Sequence, residues 1–170
     1  MAASLSTFLT KRMVGEKLSA DKKSKVFAEI KSLREAHKFP EVIYWSIIFR
    51  ANAMDAQNTS DSNEAVKKWQ QIQTLVNEKN PKVPFVTMGE ICLAYGNKQL
   101  AATAFRREKR HDLKVKWLIE SECWLEATQE IFGNKKHADF EMFLAMLRER
   151  GPPFVEDLIR DEERSGGRRK

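Results

Sequence analysis

The glycine distribution constrains this chain most. Only seven glycines occur, and none lies between Gly15 and Gly89, so more than seventy residues run with only Pro40, Pro81 and Pro84 as backbone punctuation. Strand-rich folds need a turn residue every few positions, whereas long helices do not. Apolar residues make up 42% of the 170 residues and charged residues 32%, enough to bury a core under a highly charged surface. The chain therefore reads as wholly helical.

Apolar spacing places the helices. Ser19 to His37 repeats Val26, Ile30, Leu33 and His37 at intervals of three to four, with Ser19 or Asp21 as cap. Pro40 suits the start of a second helix, Glu41 to about Ala56, because the amide it lacks would have no intrahelical partner there. That helix is apolar on nearly every side and is predicted to be central. Asn58 to Asn63 is a polar turn, after which Asp61 or Ser62 caps a helix carrying Val66, Trp69, Ile72 and Val76.

Shorter elements follow. Phe85 to Tyr95 ends at Gly96, a left-handed stop, and Asn97 caps Lys98 to Arg107. Leu113 to Glu120 and Trp124 to Phe132 form the next pair, stopped by Gly133. His137 to Arg150 presents Phe140, Phe143, Leu144 and Leu147 on one face and stops at Gly151-Pro152-Pro153; a last helix covers Phe154 to Arg164.

A 25-residue shift sets Leu93 on Leu118, Gly96 on Ser121, Leu100 on Leu125 and Ala102 on Ala127. This echo predicts an α-solenoid of stacked antiparallel helical hairpins. The expected organisation is a lead segment or first helix over 1–18, a solenoid domain over 19–165 and a disordered basic tail over 166–170. The first fifteen residues, with Lys11 and Arg12 and no acid, share features with an organelle transit peptide, but an ordinary first helix has the same look and the transit reading is the minor one.

The templates of catalysis fail in turn. His37, His111 and His137 are scattered, neither an HExxH nor a CxxC pair occurs, and no glycine-rich loop precedes a helix. Cys92 and Cys123 form no disulfide framework and fit a reducing setting. Cys123 with His137 lacks an orienting group, so a buried structural thiol is expected. Glu120 with Glu122, and Glu162 with Glu163, read as solvated, and the four tryptophans as packing groups. No metal or cofactor and no enzymatic activity is expected. No apolar run is long enough to span a bilayer.

One segment departs from even charge mixing. Arg106, Arg107, Lys109, Arg110, Lys114 and Lys116 are interrupted only by Glu108 and Asp112 as acids. Cations at a helix C-terminus complement its dipole, and such a cluster also steers acidic partners or phosphates. Arg106 and Arg107 are the expected central contacts to a protein partner, beside the small Ala101 and Ala102, with Lys109 and Arg110 on the rim. The rival reading is a nucleic-acid-binding helical domain using 106–116 and the Arg168-Arg169-Lys170 tail. It lacks the interleaved aromatics on which bases stack.

The order Phe39-Pro40-Glu41, Trp45, Trp69, Pro84-Phe85-Val86, Gly89-Glu90-Ile91-Cys92 and Tyr95-Gly96-Asn97-Lys98 to Ala101 resembles the C-terminal region of the vacuolar protein sorting-associated protein 16 family. The resemblance spans roughly Ser19 to Leu147 and is densest over Pro84 to Ala101. Thr87 and Met88 are an extension within that motif, and the Asn58 to Asn63 insertion is a further departure. The resemblance implies a scaffold of the HOPS and CORVET tethering complexes, on late endosome, lysosome or vacuole membranes. It further implies docking of a Sec/Munc-type SNARE chaperone, vacuolar protein sorting-associated protein 33, beside other tethering-complex subunits, with peripheral membrane association through the complex. No nucleic-acid partner is implied.

Overall fold

A computed structural model describes residues 40–166, together with 28, 31–32, 34–36 and 38. The expected lead segment, most of the Ser19 to His37 helix and the Arg168 to Lys170 tail lie outside the described residues. Residues 28, 31, 32 and 34–36 are helical, and from Glu41 onward the described elements are α1 (Glu41–Gln57), α2 (Ser62–Val76), α3 (Phe85–Ala94), α4 (Lys98–Arg106), α5 (His111–Glu120), α6 (Trp124–Gly133), α7 (Phe140–Arg150) and α8 (Val155–Gly166). There is no strand among the described residues. The all-α class of helical hairpins therefore holds, within two compact units, one ending at Gly96 and one starting at Asn97.

In the first unit α1 packs against both α2 and α3. From Ile47 onward its burial matches its all-round apolar sequence, with Ile47, Ile48, Phe49, Ala51, Ala53 and Ala56 all enclosed, whereas Val42 in the first turn is 47% exposed. The three alanines let neighbouring helices approach, and each buried aliphatic removes apolar surface from water, worth about 1.5–3 kcal/mol per large side chain. In α2 only Ile72 and Val76 are buried, while Val66, expected on the apolar face, is exposed.

The polar segment between α1 and α2 is an ordered clasp. Asp61 accepts from the amides of Asn63 (2.8 Å) and Glu64 (3.2 Å), satisfying donors that the helix start leaves open. Lys68 Nζ reaches Asp55 at 3.0 Å, Glu64 at 3.3 Å and the Thr59 hydroxyl at 2.9 Å. One ammonium thus ties α2 to the end of α1 and to the turn.

The second unit is built around α5 and α6, which pack against each other, on α4 and on α7; α8 covers α6 and α7. Its centre holds Phe105, Val115, Leu118, Ile119, Ile131 and Leu147, each at most 1% exposed. The Phe105 ring stacks on Trp117 at 5.6 Å with 12° between planes. Several boundaries differ from the expected ones. α5 begins two residues earlier, at His111, and α7 begins at Phe140 because residues 137 and 140 close successive turns onto Asn134 and His137. Gly133 ends α6 from inside the helix, and Gly166 belongs to α8, not to a tail.

The hairpin echo is in register at 26 residues, one more than the sequence comparison suggested. Gly96 (φ +82°) and Glu122 (φ +55°) are the left-handed residues closing α3 and α5, and Asn97 and Cys123 are the N-caps of α4 and α6. Ala101 then aligns with Ala127, both buried, whereas Leu100 and Leu125 differ, one enclosed and one half in solvent. The 25-residue shift matched residue types; the backbone turn fixes the true register.

Glu122 carries a side chain where glycine is favoured. Its amide bonds Ile119 O (3.0 Å) and the Cys123 amide bonds Leu118 O (2.8 Å), the doubled closure of a Schellman turn. A left-handed non-glycine residue costs about 1–2 kcal/mol, partly offset here by the exposed Glu122–Lys98 pair at 3.6 Å. Glu122→Gly is therefore expected to stabilise the chain by about 0.5–1 kcal/mol, read as a higher midpoint in urea unfolding. A lower midpoint would show that the side chain contributes more than the turn costs.

Candidate functional site

The basic segment folds as the end of α4, a short turn and the first half of α5. Arg106 lies in the last turn of α4, where a cation complements the exposed carbonyls, and Arg107 is its half-buried C-cap. Glu108 turns the chain: its carboxylate accepts from the amides of Lys109 (2.8 Å) and Arg110 (3.1 Å). This fold of the backbone pushes Lys109 and Arg110 out, and both side chains are exposed.

Internal pairing takes up much of the charge. Glu130 of α6, only 18% exposed, receives Arg106 Nε at 3.1 Å and Lys114 Nζ at 3.2 Å, so one carboxylate ties α4, α5 and α6 together. Arg110 bonds Asp112 at 2.7 Å; the guanidinium holds that carboxyl below the usual carboxylate range, and Asp112 in turn raises Arg110. Lys116 lies 3.9 Å from Glu120 one helical turn on. The surface is thus the exposed Lys109 and the Asp112-paired Arg110 at the turn, backed by a clasp in which Arg106 and Lys114 share one carboxylate.

Burial corrects the expected place of the two alanines. Ala101 and Ala102 are 0% and 2% exposed and offer no surface to a partner; their small size serves packing within this chain. Arg106, expected at the centre of a contact, pairs with Glu130 and keeps its side chain 46% exposed. Lys109 and Arg110, expected on the rim, are both exposed at the turn, Arg110 in its pair with Asp112. Glu130 itself went unseen in the sequence, because nothing local links it to a cation 24 residues earlier.

The cysteines and the paired carboxylates at 120 and 122 fall into packing or solvent. Cys92 and Cys123 are buried free thiols; burial pushes Cys92 up to about 12 and Cys123 to about 11, so neither is a thiolate at neutral pH. Cys123 Sγ donates to the Ser121 carbonyl at 3.6 Å. Glu122 pairs with Lys98 and Glu120 with Lys116, both at the surface. No group of three or more potential metal ligands occurs among the described residues.

The first unit contains a cleft of about 310 Å³ walled by Trp45, Ile48, Phe49, Leu75, Pro81, Val83 and Met88, with Glu78 and Lys82 also lining it. Lys82 Nζ sits 4.2 Å from the Trp45 ring centre, and the indole N–H donates to Glu41 at 3.1 Å. The cation–π contact and this hydrogen bond fix the indole as one wall. Sequence spacing did not reveal the cleft, because it depends on how 77–84 folds back against α1.

Comparison with protein-family models, with curated proteins and with solved structures finds no match. Among the described residues, no helix is long and apolar enough to cross a membrane.

Proposed function

We propose that this chain is a non-enzymatic docking module whose helical hairpins hold the Lys109–Arg110 turn against an acidic face of a folded protein partner. The observation carrying this reading is the division of labour in the basic segment. Arg106 and Lys114 share Glu130, Arg110 pairs with Asp112 and Lys116 with Glu120, three carboxylates against four cations, while the Glu108 turn leaves Lys109 and the paired Arg110 exposed. Such a patch steers and orients a protein surface. A phosphate backbone would call for a longer track of uncompensated cations, so nucleic acid is the weaker reading.

The resemblance of Pro84 to Ala101 to the vacuolar protein sorting-associated protein 16 C-terminal region supports a particular partner. On that reading the partner is a Sec/Munc-type SNARE chaperone of the vacuolar protein sorting-associated protein 33 kind. The setting is a HOPS- or CORVET-type tethering complex, held peripherally on late endosome, lysosome or vacuole membranes through its other subunits.

The test is equilibrium binding of the purified chaperone to the chain and to Lys109→Glu/Arg110→Glu. Loss of about tenfold in affinity, arising mainly from slower association, is expected for exposed steering charges. Unchanged binding would remove the turn from the interface, and no binding by the parent chain would reject the partner. Steeply salt-dependent binding of unrelated RNA or DNA would favour the rival reading.

A further inference from the structure

Two of the three histidines, 26 residues apart in sequence, meet in the second unit. His111 is the first residue of α5, and His137 lies in the turn that precedes α7. Their ring centres are 4.7 Å apart, and both rings lie against Phe143 of α7, at 5.8 and 5.9 Å. Both imidazoles are half-buried and Phe143 is 3% exposed, so the pair forms part of the packing of α7 on α5.

We propose that His111 and His137 form an acid-sensitive latch: protonating both imidazoles drives the rings apart and loosens α7 and its preceding turn from the start of α5. Two cations at 4.7 Å in a partly desolvated site repel strongly. The surrounding charges add to this at His111. Lys114 of α5 is cationic, and a positive charge at the first residue of a helix opposes the helix dipole. Glu130 of α6 and Asp112 of α5 act the other way, but their carboxylates are already engaged by Arg106, Lys114 and Arg110. Asp139 faces His137 at 3.8 Å, and its amide donates to His137 Nδ1 at 3.2 Å, a bond that requires this nitrogen unprotonated. Protonation at Nδ1 therefore breaks this turn contact as well as creating repulsion, while the Asp139 carboxylate then pairs with the imidazolium and offsets part of both.

The direction of titration agrees. Burial, then His137, then Lys114 lower His111 from its ordinary value near 6.5. A histidine depressed on folding binds its proton more readily in the unfolded chain. Its stabilising effect is full above about pH 6.5 and is lost as pH falls from there through the lower folded value. Ordinary carboxylates titrate near 4, outside this window. The latch does not rest on the docking reading.

The experiment is thermal unfolding of the full chain at pH 7.5 and 5.5, beside His137→Gln, with an NMR titration of the parent chain's imidazole protons. A fall in midpoint of about 4 °C or more on acidification is expected for the parent, with a smaller fall in His137→Gln, where burial and Lys114 still lower His111. His111 is expected to titrate below the ordinary histidine value. The proposal is overturned by an acid-insensitive parent midpoint or by an equal fall in the variant. If the variant does not fold, the titration decides: a His111 inflection at or above the ordinary value overturns the latch, and one below it supports the latch.

Discussion

Phe105→Ala is expected to destabilise the chain by about 3–5 kcal/mol, the largest effect of any single truncation considered. Phe105 is fully enclosed, and its ring lies nearly parallel to Trp117 at 5.6 Å. Removing it deletes the transfer free energy of a buried ring and the stacking contact. It also leaves a cavity among helices that cannot collapse freely, since α4 is held to α5 and α6 through Glu130. A typical domain has only about 5–15 kcal/mol of stability, so this one change consumes a large part of it. Urea unfolding followed by tryptophan fluorescence and far-ultraviolet circular dichroism measures the loss. Phe105→Leu, which refills most of the volume, is expected to retain the greater part. A loss below about 1 kcal/mol for the alanine variant would mean that the second unit is not organised around this ring.

Gly151→Ala is expected to cost about 1–3 kcal/mol, although one methyl is all it adds. The Gly151 backbone, at φ −76° and ψ 148°, suits any residue, so the demand for glycine is purely steric. A Cβ there would sit 2.6 Å from the Leu147 carbonyl oxygen and 2.7 Å from Val155 Cγ2. The carbonyl accepts the Gly151 amide at 2.9 Å in closing α7, and Val155 is buried at the start of α8. Neither can retreat without moving a helix end. Gly133 provides the contrast: a Cβ there meets nothing within 4 Å, so Gly133→Ala is expected to be neutral or mildly stabilising in this last residue of α6. Equal behaviour of the two variants in thermal unfolding would contradict the tight approach of α7 and α8 at Gly151.

The helices were legible because their signals are local. Asp61 and Asn97 cap α2 and α4 through their own side chains, Gly96 takes the left-handed turn, and α1 is buried on the several sides its sequence made apolar. Register between hairpins was less legible: Glu122 adopts a conformation that its residue type does not advertise, which hid the 26-residue spacing. The candidate site was legible as a charge cluster but not as a geometry. Which cations project depends on Glu108 folding beneath its own turn and on Glu130 arriving from α6. Ala101 and Ala102 show the same limit, since a small residue on a helix suits either an internal crossing or an external partner, and only burial distinguishes them.

The docking reading is tested most directly by hydrogen–deuterium exchange of the full chain with and without the purified Sec/Munc-type chaperone. The account predicts slowed exchange centred on 107–113, where the α4–α5 turn presents Lys109 and Arg110, and a loss of that protection in Lys109→Glu/Arg110→Glu. Protection confined to other segments, or none with saturating chaperone, would contradict it.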